Sequence, residues 1–319
     1  MDNRIVRVAF ILALLLVAGA CSGGDGPSTP QSTATKSPGD APWSPAPVAW
    51  LPDRAARIGG CYTRGPGDYI DAIERLEGAR SFRLHIPTGY DGSHGVPVVF
   101  NFHGQGRSAE DQDNYSGLIP VADTEGFILV SPEGAYHQWD ILGVYADEGN
   151  DDVGAVSEIL DYLKSQFCID PGRVFATGIS NGGQMAAQVG CLLPYQFAGI
   201  APVAGIVYQG CDGPPVAVIA FHGTEDYNVP YESAPEAVRE WARYNRCPDT
   251  PETERTGEFV VRESYFGCEG APVVFYTLEG GGHTWPGAED DTGGIGPTNH
   301  EIRASDLLGE FFRNVRRGP

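Results

Sequence analysis

Six short apolar runs, at 96–102, 127–131, 174–177, 199–203, 216–221 and 273–278, recur along this chain after a strand-like segment at 81–86, bounded by turn residues and spaced by helix-length segments. No other feature restricts the fold as much. Runs of this kind fit strands covered on both faces, which is the condition inside a parallel sheet. The segment 81–86 alternates polar and apolar residues instead, as an edge strand should. Between the runs, apolar residues return at helical spacing over 153–166, 181–193, 236–244 and 305–315. Strands alternating with helices predict an α/β protein with an open, doubly wound, mostly parallel sheet. Chemistry in such a sheet belongs to the loops at the carboxyl ends of the strands.

The first 20 of the 319 residues stand apart from this pattern. Arg4 and Arg7 precede an apolar run over 8–17 and then Ala18-Gly19-Ala20, the layout of a secretory signal. The run falls short of the ~20 apolar residues that a membrane-spanning helix needs. Cleavage after Ala20 would make Cys21 the first mature residue. Ala-Gly-Ala-Cys followed by Ser22-Gly23-Gly24 resembles the lipobox of bacterial lipoproteins. That resemblance implies an exported protein with a diacylglyceryl thioether on Cys21, anchored to a membrane because two acyl chains hold where one does not. A plain secretory signal is the alternative. Residues 21–52 are rich in Ser, Thr, Pro and Gly, too poor in apolar groups to offset the entropy of ordering, and read as a tether. Residues 53–319 show no internal repeat or second linker and read as one domain.

Formal charge is −21, and removing residues 1–20, with Asp2, Arg4 and Arg7, takes it to −22. Such a surface repels nucleic acid and polyanions and favours neutral partners; no protein partner is evident. Apart from Cys21 there are six cysteines: Cys61, Cys168, Cys191, Cys211, Cys247 and Cys268. An even number in an exported chain suggests three disulfides, for which 15 pairings exist. None of the six has the C-x-x-C spacing of a zinc or redox site. The expected pairing is Cys247 with Cys268, Cys191 with Cys211 and, by elimination, Cys61 with Cys168.

Gly178-Ile179-Ser180-Asn181-Gly182 fits G-x-S-x-G, a weak pattern alone in a chain with 43 glycines. Its setting makes it strong, because a strand-like run precedes it and a helix-like run follows, as at the elbow that exposes a nucleophilic serine. A serine needs a base to take its proton and a carboxylate to fix the tautomer of that base. With a nucleophile on such an elbow the chain order is Ser, acid, His. His283, in a glycine-rich turn after the last strand, fits the base; His300 lies in a polar stretch and reads as solvated. The loop after 216–221 offers two neighbouring carboxylates, Glu225 and Asp226, with His222 set to order it. Acyl transfer also needs N–H donors for an oxyanion. Asn181, next to the nucleophile, supplies one, and Gln105 of the Phe102-His103-Gly104-Gln105-Gly106 loop the other.

Together, Cys168-Ile169-Asp170-Pro171, Gly178-Ile179-Ser180-Asn181-Gly182-Gly183, Ala201-Pro202-Val203-Ala204-Gly205, Phe221-His222-Gly223-Thr224-Glu225-Asp226 and Gly282-His283-Thr284-Trp285-Pro286-Gly287 resemble the polyhydroxybutyrate depolymerase and feruloyl esterase group, near carbohydrate esterase family 1. The resemblance extends from about Arg57 to the carboxyl terminus. It implies an α/β-hydrolase fold and a secreted carboxylic-ester hydrolase with neither metal nor organic cofactor, acting on a neutral, possibly polymeric ester. It also implies the roles given to Ser180 and His283 and places the acid at Asp226, with Glu225 the runner-up. One departure is Gln105, where many depolymerases of the group have Cys. The rival readings are a non-catalytic surface-binding lipoprotein on the same fold and, within enzymes, an acyltransferase or peptidase that uses the same triad.

About a dozen residues separate the runs at 199–203 and 216–221, which leaves no room there for a lid domain. Trp139, Tyr231 and Trp285, with Tyr227, are expected to line the cleft and suit acyl or aryl groups. The acidic stretch 147–152 lacks the spacing of an EF-hand and reads as a solvated lead into the helix that follows.

Overall fold

The computed structural model describes residues 57–58, 61–62, 64–76, 78–141, 151–289 and 293–318. The signal at 1–20, the tether at 21–52 and the lipidation site Cys21 lie outside the described residues. The strands are β1 (Arg57–Ile58), β2 (Cys61–Tyr62), β3 (Gly67–Ile73), β4 (Arg80–Ile86), β5 (Val96–Phe102), β6 (Ile128–Pro132), β7 (Ile169–Ile179), β8 (Gly199–Val203), β9 (Ala217–Gly223), β10 (Glu252–Arg255), β11 (Val260–Tyr265) and β12 (Val273–Leu278). The α-helices are α1 (Ala109–Ser116), α2 (Leu118–Glu125), α3 (Asp152–Gln166), α4 (Asn181–Leu192), α5 (Ser233–Tyr244) and α6 (Ala304–Arg313).

Ten strands form one sheet in the order β10-β11-β12-β9-β8-β7-β5-β6-β4-β3. The six from β12 to β6 are parallel, and an antiparallel pair extends each side. Every residue of β5, β6, β8 and β9 is buried, as their largely apolar composition suits in strands covered twice. Alternation persists beneath that composition: Val98 and Phe100 of β5 face a core with α3, α4 and α5, while Val99 faces one with α2 and α6. On the second face Phe175 of β7 stacks on Phe312 of α6 at 4.3 Å between ring centres. The chain therefore has the expected doubly wound architecture, and no separate lid domain stands among the described residues.

The segment 81–86 is not the edge. Strand β3 pairs antiparallel with β4 beyond it, from Gly67 opposite Ile86 to Ile73 opposite Arg80. Only half-buried residues point inward from β3, so it carries little apolar signal. At the other edge β10 is Glu-Thr-Glu-Arg, wholly exposed, a charged strand of the kind that protects a sheet margin from further pairing. Helix α1 also escapes an apolar-periodicity reading, because its buried side is largely polar: Gln112, Asp113 and Ser116. Asp113 accepts from Arg83 Nε at 3.0 Å, from Asn101 Nδ2 at 3.3 Å and from the Ser131 hydroxyl. Burial nevertheless pushes its carboxyl up, against the lowering effect of those donors. A capping box, Ser108 with Asp111 three residues on, starts this helix and is visible in the sequence.

The disulfides join Cys61 to Cys168, Cys191 to Cys211 and Cys247 to Cys268, the expected pairing. Of the acidic stretch 147–152, residues 147–150 lie outside the described residues. Asp151 caps α3 by accepting from Gly154 N at 2.8 Å, and Asp152 pairs with Arg80 at 2.8 Å.

Candidate active site

Because the six central strands are parallel, β5, β6, β7, β9 and β12 all end on one side of the sheet, and every expected site residue follows one of those ends. Strand β7 passes straight into α4, with Ser180 between them at φ 58° and ψ −124°. Positive φ is costly for a residue with a Cβ. Here it is fixed from both sides: Ser180 N donates to Val203 O at 2.9 Å, and Gln184 N donates to Ser180 O at 2.9 Å. The flanking glycines are needed for close approach. A Cβ on Gly178 would lie 2.5 Å from Phe102 O, and one on Gly182 would lie 2.5 Å from His103 O and closer still to Phe102 O.

His283 is buried in the turn after β12, where its backbone exchanges two hydrogen bonds with Ile295. Its Nδ1 donates to Asp226 Oδ2 at 2.7 Å, which leaves Nε2 as the nitrogen free to act as a base. Asp226 is 2% exposed. Its Oδ1 accepts from Asn228 N at 3.0 Å and Val229 N at 2.8 Å, and His222 Nε2 stands 3.3 Å from Oδ2. Burial alone would raise this carboxyl, but the donors from His222, His283 and Val229 outweigh it and hold Asp226 well below the usual carboxylate range. His222 also donates to Val229 O at 2.9 Å, so it orders the acid loop as expected. Glu225 and His300 are exposed, whereas Asp226 is buried against His283.

The loop after β5 is set by His103, which is fully buried. Its Nδ1 donates to Gly104 O at 2.9 Å, and its Nε2 accepts from Gly134 N at 2.9 Å. Accepting at Nε2 requires a neutral ring, and burial pushes its pKa down to about 4. His103 is therefore a structural group, as its place in the chain implies. Since no peptide among the described residues is cis, a Gly104 carbonyl turned toward His103 points the N–H of Gln105 the opposite way. Asn181 is the first residue of α4, where an N–H has no partner within the helix.

Ser180, His283, Gly104 and Gln105 share the wall of a cleft of about 440 Å³. The rest of that wall comes largely from the segment after β5 and from α1: Arg107, Asp111, Gln112, Asn114 and Tyr115, joined by Asn228. Helix α1 was not visible to apolar periodicity, so this wall was not foreseen. None of the four aromatics expected there lines the cleft: Tyr227 is exposed, and the other three turn into the fold. Trp285 is 1% exposed and its Nε1 donates to Ser305 Oγ at 2.9 Å. Trp139 is 5% exposed, packs edge-on against Phe102 and donates from Nε1 to His103 O at 2.8 Å. Tyr231 is half-buried, stacks near Phe275 and bonds Thr277 Oγ1 through its hydroxyl. In each case the polar tip finds a partner inside the fold, so burial costs little. The cleft is instead lined by amides and charged groups interleaved with Tyr115, Ile179 and Ile295.

A family model described as Esterase PHB depolymerase matches residues 80–258. Among curated proteins, feruloyl esterase C of Emericella nidulans is 27% identical over 244 residues, covering 73% of this chain and 86% of its own. Feruloyl esterase D of Neurospora crassa is 28% identical over 220 residues, covering 64% and 74%. Among solved structures, an acetyl xylan esterase from Aspergillus awamori superposes with a TM-score of 0.57 at 15% identity, covering 68% of this chain and 94% of its own. That likeness shows the α/β-hydrolase fold.

Proposed function

From membership of the Esterase PHB depolymerase family, to which this chain belongs, we propose that it is an exported serine esterase in which Ser180, His283 and Asp226 form the catalytic triad. The observation that carries this reading is the 2.7 Å bond from His283 Nδ1 to Asp226 Oδ2 on the wall of the cleft that also holds Ser180. Ser180 Oγ attacks the ester carbonyl as His283 Nε2 takes its proton, and Asp226 stabilises the resulting imidazolium. The N–H groups of Asn181 and Gln105 receive the oxyanion. Collapse of the tetrahedral species breaks the bond to the alcohol, which leaves with the proton from His283 and an acyl-enzyme on Ser180. Water then repeats the sequence and releases the acid.

A cleft wall that mixes amides and charges with Tyr115, Ile179 and Ile295, on a strongly negative chain, favours a neutral ester of an apolar acyl group on a hydroxylated carrier, and the feruloyl and acetyl xylan esterases among the similar proteins agree with that class. Three disulfides fit an oxidising compartment outside the cytoplasm, in keeping with export and an anchor on Cys21. A fluorophosphonate probe should label the wild type and leave Ser180→Ala unlabelled. On a panel of methyl ferulate, acetylated xylan and hydroxybutyrate oligomers, the wild type should turn over one of the first two fastest. An unlabelled wild type that hydrolyses none of the three overturns the catalytic reading in favour of a binding module.

A further inference from the structure

The two N–H groups that would receive the oxyanion sit on separate segments, the loop after β5 and the start of α4, yet must aim at one point. The segment after β6 bonds to both. Gly134 N donates to His103 Nε2 at 2.9 Å, and Gly106 N donates to His137 O at 2.7 Å. The indole of Trp139 donates to His103 O at 2.8 Å. The backbone of Trp139 then grips the Asn181 side chain twice: Trp139 N donates to Asn181 Oδ1 at 2.7 Å, and Asn181 Nδ2 donates to Trp139 O at 3.1 Å. To make this path the segment holds Tyr136 at φ 54° and His137 at φ 57°, two successive left-handed residues that both carry a Cβ. Strain of that kind persists only where the surroundings enforce it, and the bonds to the two donor segments do so.

Resting on the triad reading above, we propose that Trp139 and the side chain of Asn181 are positioning residues: a clasp, formed by one indole N–H and one carboxamide, that fixes the Gln105 and Asn181 amides in a single geometry. Neither side chain needs to touch substrate. The clasp also gives Trp139 a function in place of the substrate contact expected of it.

Asn181→Ala opens the clasp while keeping the backbone N–H, and Trp139→Phe removes the indole donor while keeping an aromatic ring against Phe102. Each should lower kcat on a short p-nitrophenyl ester about 10- to 100-fold, somewhat less than the loss of a whole oxyanion donor, with KM changed less than about threefold. Affinity for a trifluoromethyl ketone, whose adduct with a serine places an oxyanion in the same hole, should weaken in proportion to kcat. Because both groups serve one device, the double variant should be little worse than the poorer single. A purely structural role would lower the melting temperature or the fraction of titratable sites while leaving kcat per site and ketone affinity unchanged, and that result overturns the proposal. Ser180→Ala in the same series separates the premises: if it still hydrolyses ester, the triad reading fails; if it is inert while both clasp variants match the wild type, the clasp alone fails.

Discussion

Gly182→Ala tests whether the contact between α4 and the end of β5 governs catalysis. Position 182 lies in the first turn of α4. In an exposed helix, alanine there would be favoured over glycine by about 1 kcal/mol. The surroundings reverse that sign. The added Cβ would sit 2.5 Å from His103 O and nearer to Phe102 O, where ordinary contact begins at 3.4 Å. Both neighbours are backbone, so α4 or the loop after β5 must move by about 1 Å. Overpacking of this kind costs about 1–3 kcal/mol, enough to lower the melting temperature of a two-state fold without abolishing it. The catalytic cost is larger, because the displaced segments carry Ser180, Asn181 and Gln105, and a misplacement of about 1 Å can cost 10²-fold in rate. Initial rates on p-nitrophenyl acetate, normalised by fluorophosphonate titration, and calorimetric melting should show kcat reduced about 100-fold with the transition still cooperative. A variant at least as stable as the wild type, with kcat within threefold, refutes the reasoning.

Asp226→Asn should keep its carboxamide oxygen on Asn228 N and Val229 N and turn its amide N–H₂ toward His283 Nδ1. The imidazole then adopts the wrong tautomer, and kcat should fall about 10⁴-fold, by analogy with the protease triad, while Glu225→Gln stays near the wild type; equal losses would move the acid role away from Asp226. His103, at about 4 in the fold against about 6.5 unfolded, binds protons mainly when unfolded, so its contribution is intact above pH 6.5 and lost as pH falls toward 4. The loss is about 3 kcal/mol, and urea titrations should show a shallower decline over this window for His103→Asn; parallel curves would contradict it. Removing Cys61–Cys168, with a sequence separation of 107, should destabilise more than removing Cys191–Cys211, with a separation of 20. Loop entropy gives about 1.5 kcal/mol of difference, readable as a shift in urea midpoint, and the reverse order would speak against it.

The positions of Ser180, His283 and Asp226 were legible because each depends on local chain geometry: an elbow between strand and helix, a glycine-rich turn, a carboxylate in a short loop after a strand. The central strands were legible for the same reason, since burial on both faces leaves an apolar run. Strand β10 was not, because Glu252–Arg255 is held by pairing with β11 and buries none of its side chains. Helix α1 was not, because the partners that satisfy Asp113, namely Arg83, Asn101 and Ser131, come from three different strands. Trp139 and Trp285 were placed on the right loops and given the wrong direction. An indole shows its apolar bulk in the sequence, but whether its N–H finds Ser305 or His103 O depends on contacts 20 and 36 residues away.

The Cys61–Cys168 bond lies just before Ile169, where β7 begins, and Ser180 lies just after Ile179, where it ends. A register shift lets Ile169 to Gly178 span only Val96 to Phe102 of β5, so at ~3.3 Å per residue these points lie about 25 Å apart, on opposite poles of the sheet. Any pull arriving through the amino-terminal segment is thus delivered to the pole remote from the reacting serine. For the esterase proposed above, anchored through Cys21, that arrangement would keep tension on the chain away from the catalytic elbow.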